Sequence, residues 1–124
     1  MLLGSPAGFD ATVVVGMQKS VWLSFDLGVQ GDYEGLYRWL DSLDARECGD
    51  NLAYFFFEPK EDLLAEIKAG VEKAINIDKK TRIYVIFLNQ DGKAKGRFLF
   101  GHRKAPAWAG FAVKETVDDD EYGR

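Results

Sequence analysis

Three carboxylates, Asp26, Asp32 and Glu34, lie close together in the chain, at the end of an apolar run and the start of a helix-like one. A hard cation such as magnesium or manganese is held by carboxylate oxygens while keeping several of its waters. Bound there, it would activate water or stabilise charge developing on a phosphodiester, with Asp26 as the candidate catalytic and metal-binding residue. The competing reading is structural and is preferred. Asp26 would accept backbone hydrogen bonds from the loop that follows and Asp32 would cap the helix, each contributing about 1 kcal/mol.

A second group is cationic. Lys93, Lys95, Arg97, Arg103 and Lys104 occur without an intervening carboxylate, and Trp108 follows. Alternating lysines on one strand face form a ribbon that can track phosphates, and a tryptophan can stack a base. The same lysines equally serve to block unwanted pairing at a sheet edge, which is the preferred reading. His102 is the only histidine and Cys48 the only cysteine. An intramolecular disulfide and a multi-thiolate zinc site are therefore excluded; His102 could form a dyad only with Cys48, and the preferred reading is a surface or satisfied histidine. Cys48 itself reads as a small buried hydrophobe. Gly28 and Gly31 precede a helix, yet neither a Walker pattern nor the three-glycine dinucleotide fingerprint is present.

These groups must be positioned by a single domain, since 124 residues match the usual size of one hydrophobic core. Hydrophobic residues make up 47% and charged residues 29%, which is globular rather than disordered. A formal net charge of −4 argues against a generic nucleic-acid coat, because phosphate binding draws on cations. No apolar run approaches a membrane span and no secretory signal is evident, so a cytoplasmic protein without membrane association is expected. The run Asp118, Asp119, Asp120 and Glu121 makes residues 113–124 an acidic C-terminal tail and leaves the chain electrically polarised. Residues 1–16, with the β-branched run Thr12 to Val15, read as an N-terminal extension or an edge strand, and residues 17–112 as the domain.

Val21, Leu23, Phe25 and Leu27 alternate with Trp22, Ser24 and Asp26, predicting a half-buried strand. With Asp32 as N-cap, Tyr33, Leu36, Tyr37, Leu40 and Leu43 recur at helical spacing. Strands are predicted at Arg46 to Cys48 and Leu52 to Glu58 around a Gly49-Asp50 turn. A second helix is predicted from Pro59, with Leu63, Leu64, Ile67, Val71, Ala74 and Ile75 as its apolar stripe. Arg82 to Leu88 and Lys93 to Phe100 then form a hairpin across Asp91-Gly92. Trp22, Trp39 and Trp108 are expected to serve core packing.

The order β, α, β, β, α, β, β predicts an α+β fold: a ferredoxin-like antiparallel sheet with two helices on one face and an additional C-terminal strand. Leu52 to Phe57 and Ile83 to Leu88 are apolar at every position, so the sheet's second face needs a cover. The segment Ala105 to Phe111, the N-terminal run or a second subunit can supply it. Four large side chains left uncovered would forfeit about 6 to 12 kcal/mol, and the expectation is a homodimer.

The stretch Val21-Trp22-Leu23-Ser24-Phe25-Asp26-Leu27, the helix end Leu43-Asp44-Ala45 and the strand Arg82-Ile83-Tyr84-Val85-Ile86 resemble the small CRISPR-associated adaptation nuclease-like family over about residues 20–90. In that family an aspartate closes the first strand, and two subunits bring those aspartates together around a divalent metal. The resemblance carries over to Asp26 alone. Lys95-Gly96-Arg97-Phe98-Leu99-Phe100 also resembles an RNA-recognition sheet motif, but it follows the second helix instead of preceding it and the match is rejected. The preferred functional reading is a non-enzymatic binding or assembly domain acting as a homodimer without a cofactor. The alternative is a metal-dependent nuclease or nucleic-acid-binding protein using Asp26 and the basic strand.

Overall fold

A computed structural model describes residues 18–112. The expected N-terminal edge strand and the acidic tail lie outside the described residues. Within them the order is β1 (Lys19–Asp26), α1 (Tyr33–Ser42), β2 (Arg46–Glu47), β3 (Leu52–Phe57), α2 (Leu63–Ala74), β4 (Arg82–Leu88) and β5 (Ala94–Phe100). The fold is α+β, with two helices and a five-stranded sheet in the order β2-β3-β1-β4-β5 in which every neighbouring pair is antiparallel. No helix among the described residues is long and apolar enough to cross a membrane.

Alternation decides which face each strand buries. Val21, Leu23 and Phe25 of β1, Ala53 and Phe55 of β3, and Ile83 and Val85 of β4 join Leu36 and Leu40 of α1 and Ile67 and Val71 of α2 in one buried cluster. Both helices therefore lie on one sheet face. They pack closely where glycine replaces a side chain. A Cβ at Gly35 of α1 would stand 2.3 Å from the Ala74 carbonyl oxygen of α2, and one at Gly70 would stand 2.9 Å from the Trp39 Nε1. Asp32 joins the same seam from the side, since one carboxylate oxygen accepts from the Gly35 N–H at 3.0 Å and the other from the Asn76 N–H at 3.0 Å. The positive end of α1 and the negative end of α2 thus meet at one carboxylate.

Several local expectations are corrected. Helix α2 starts at Leu63, not at Pro59, with Asp62 as its N-cap. Glu66 reaches back to accept from the Lys60, Glu61 and Asp62 N–H groups, which holds the intervening turn outside the helix. Strand β2 is only two residues long and Cys48 beyond it is exposed, because an edge strand of that length has nothing to cover its last side chain. A bulge in the β4–β5 pairing sets Ile83 opposite Phe100 but Tyr84 opposite Phe98. Phe98 therefore faces away from the helices, whereas Leu99 is buried and Phe100 packs against the core beneath the Lys68 ammonium.

The Glu66 carboxyl is held below its ordinary range, first by the hydrogen bond from Lys60 N–H and then by that from Glu61 N–H. A lowered native value means this stabilisation is present above the unfolded-state value and is lost as pH falls through the native one. Urea titrations across the acid range should therefore show Glu66→Gln with a flatter stability profile than wild type in that window. Parallel profiles would remove Glu66 from the acid response.

Candidate functional site

The sheet face opposite the helices collects the alternate residues of four strands. The register places Trp22 between Tyr54 and Ile86, Ser24 between Leu52 and Tyr84, and Tyr84 beside Phe98. Ring centroids are 4.9 Å apart for Trp22 and Tyr54, 5.5 Å for Tyr54 and Phe56, and 4.7 Å for Tyr84 and Phe98. The Tyr54 hydroxyl is tied to the Ser20 Oγ at 2.9 Å, so the polar tip of the ladder is satisfied while its ring faces stay apolar. No described segment closes this face. Phe56 is 52% exposed, Ile86 39% and Leu88 38%. Trp108 and Phe111, expected as cover or core, are 76% and 83% exposed. A segment of small residues following a sheet edge has too little apolar area to hold them down.

One end of the face is polar and cationic. Strand β1 ends there at Asp26, and β4 begins there at Arg82, its direct partner. The Arg82 Nη1 lies 3.8 Å from Asp26 Oδ2, and its Nε donates to the His102 carbonyl at 3.3 Å. Arg103 stands 5.9 Å from the Tyr84 ring and 5.7 Å from the Phe98 ring, and Arg82 is also 5.7 Å from Phe98. These are cation–π distances, and they hold both guanidinium groups over the aromatic end of the face. Lys79, Lys80, His102 and Lys104 share an adjoining cleft with Asp26 and Arg82. A separate groove of about 560 Å³, lined by Phe25, Tyr37, Leu40, Arg46, Glu47 and Asp50 among others, opens on the far side of β1.

The three carboxylates singled out from sequence have separate partners. Asp26 accepts from Gly28 N–H at 3.1 Å and pairs with Arg82, Asp32 holds the two helix ends, and Glu34 pairs with Arg38 at 2.8 Å. Among the described residues no group of three or more His, Cys, Asp or Glu side chains can hold a metal ion. Asp26, Asp32 and Glu34 are therefore not gathered into one ligand set within the described chain.

The cationic set is divided. Lys93 lies in the turn before β5, where its N–H donates to Asn89 Oδ1. Lys95 and Arg97 pair with Phe87 and Val85 and so point to the helix side of the edge strand. Arg103, Lys104 and Trp108 instead share a cleft with Arg82 and Phe98 at the other face. Cys48 and His102 follow the two outermost strands, with β3, β1 and β4 between them, and form no dyad. Sequence reasoning passed over Lys79, Lys80 and Arg82. Their signal was their position at the start of a strand whose antiparallel partner ends in Asp26. No family model, curated protein or solved structure matches the chain.

Proposed function

We propose that this chain is a non-enzymatic binding or assembly domain that works as a homodimer through the face of its sheet opposite the helices. The carrying observation is the continuous aromatic and aliphatic face of Trp22, Tyr54, Phe56, Tyr84, Ile86 and Phe98, whose members Phe56 and Ile86 stay substantially exposed. The four strands β3, β1, β4 and β5, about 4.8 Å apart and about six residues long, span about 19 by 20 Å in projection. Before side-chain relief is added, that is about half of the roughly 800 Å² per partner of a stable complex. A second copy is the partner favoured because an apolar face whose charges are confined to one end can pair with its own copy about a two-fold axis. The scaffold we assign is ferredoxin-like, with β5 added beside β4. That assignment is supported by the neighbour order, in which β1 lies between β3 and β4 and each helix crosses over one intervening strand.

Light scattering at micromolar concentration should return about twice the 13.9 kDa chain mass. Phe56→Glu and Ile86→Glu should return the single-chain mass with helix and strand content retained. A wild-type chain that stays monomeric up to hundreds of micromolar would end the assembly reading.

A second reading, nucleic-acid binding, is favoured by the convergence of Arg82, Arg103 and Lys104 beside Tyr84 and Phe98. Its nuclease form, taken from the resemblance to CRISPR-associated adaptation nucleases, rests on Asp26 at the end of β1. The ion pair of Asp26 with Arg82 and the separate partners of Asp32 and Glu34 weigh against it. Metal-dependent cleavage of single-stranded RNA or DNA that is lost in Asp26→Ala would restore it.

A further inference from the structure

We propose that the acidic run Asp118-Asp119-Asp120-Glu121 of this same chain docks on the basic end of the sheet and screens it from other polyanions. Residues 79–112 contain eight basic residues and one acidic residue, Asp91. The fold brings five of those cations, Lys79, Lys80, Arg82, Arg103 and Lys104, around the end of β1, because β4 starts where β5 finishes. Asp26 is the carboxylate already in that cleft, and it is engaged by Arg82 and the Gly28 N–H. The carboxylate in the neighbouring turn, Asp78, accepts from the Lys80 N–H and the Thr81 hydroxyl. Among the described residues, Lys79, Lys80, Arg103 and Lys104 form no ion pair, the two present being Arg38–Glu34 and Arg82–Asp26.

The acidic run follows the described residues after a short stretch of chain. Trp108 lines one cleft with Arg82, Arg103 and Lys104. From Ala112, six residues of chain reach Asp118 and span at most about 20 Å. A short tether of this kind presents the run at an effective concentration on the order of millimolar. A free polyanion has no such advantage and must also approach a chain of net charge −4. Contacts among exposed charges are individually weak and are screened beyond about 8 Å at physiological salt. The docked run is therefore exchangeable, and it lets the basic end respond to ionic strength. This inference does not depend on the dimer, whose interface occupies the apolar centre of the face.

Carbodiimide coupling of the full-length chain tests it, since the reagent joins a carboxylate to a lysine amine only where the two already touch. An equal mixture of nitrogen-14 and nitrogen-15 protein separates links within a chain from links between chains. Expected are links from residues 118–121 to Lys79, Lys80 or Lys104 within one chain, with yields that collapse in 1 M salt, where the screening length is about 3 Å. The variant Asp118→Asn/Asp119→Asn/Asp120→Asn/Glu121→Gln should bind a twenty-residue oligothymidylate at low salt about tenfold more tightly than wild type, through loss of the tethered competitor. The proposal is overturned if the links go only to lysines elsewhere, such as Lys68 and Lys73, or only between chains. It is equally overturned if the two proteins bind the oligonucleotide alike, which would show a basic end already open to external polyanions.

Discussion

Gly35→Ala should lower the stability of the fold by about 1 to 3 kcal/mol, although alanine is the better helix former by about 1 kcal/mol. Gly35 is buried in the first turn of α1, and an added Cβ would meet the Ala74 carbonyl oxygen of α2 at 2.3 Å and the Asp32 carboxylate at 2.9 and 3.0 Å. A backbone carbonyl cannot rotate aside without disturbing the end of its own helix. Asp32 cannot move without releasing the Gly35 and Asn76 N–H groups. The loss is a large fraction of the roughly 5 to 15 kcal/mol that separates folded from unfolded chains. Gly70→Ala provides the contrast, because its Cβ would meet the Trp39 ring at 2.9 Å, and a side chain at a helix seam can give way where a carbonyl cannot. Urea midpoints at unchanged slope should rank wild type, Gly70→Ala and Gly35→Ala in falling order. A Gly35→Ala chain at least as stable as wild type would show that the two helices are not in contact at this point.

Phe55→Ala should cost about 3 to 5 kcal/mol, the range for emptying an aromatic site in a packed core. Phe55 is 2% exposed, sits on β3 opposite Val21, and meets the Trp39 ring edge-on at 5.8 Å. Its removal therefore opens a cavity bounded by the sheet and by α1, two elements that cannot both collapse into it. The adjacent Phe56 points to the other face and is 52% exposed. Within one chain, Phe56→Ala should cost less than about 1 kcal/mol. In a dimer joined through that face, the Phe56→Ala loss should instead grow with protein concentration, because association then contributes to measured stability. Equal, concentration-independent losses for the two variants would contradict the assignment of inner and outer faces.

Much of this architecture was legible in the residues alone. The two-residue period of Val21, Leu23 and Phe25, the helical spacing of Leu36 and Leu40 and of Ile67 and Val71, and the Asp32 cap are local signals. They are set by backbone geometry and by the burial of one face. The completely apolar strands Leu52 to Phe57 and Ile83 to Leu88 likewise announced a sheet face that the two helices do not cover, and the exposure of Phe56, Ile86 and Leu88 bears that out.

What stayed hidden depended on partners distant in the chain. Nothing local says that Asp32 will be claimed by Asn76, 44 residues away, or that Asp26 will stand opposite Arg82. The local roles preferred for Asp26 and Asp32, accepting from the following loop and capping the helix, are the ones found, and the fold adds the distant partners Arg82 and Asn76. The run Lys93, Lys95 and Arg97 looked continuous with Arg103 and Lys104, but strand alternation sends Lys95 and Arg97 to the helix side, while Arg103 and Lys104 lie beyond the end of β5. Burial of Cys48 and Trp108 was also misjudged, because residue type states only a preference, whereas neighbours decide how much surface is covered. Local sequence determined the elements and their buried faces, since those follow from periods of a few residues. Only tertiary pairing decided which charges meet, because an electrostatic neighbourhood a few ångströms wide is assembled from strands that lie far apart along the chain.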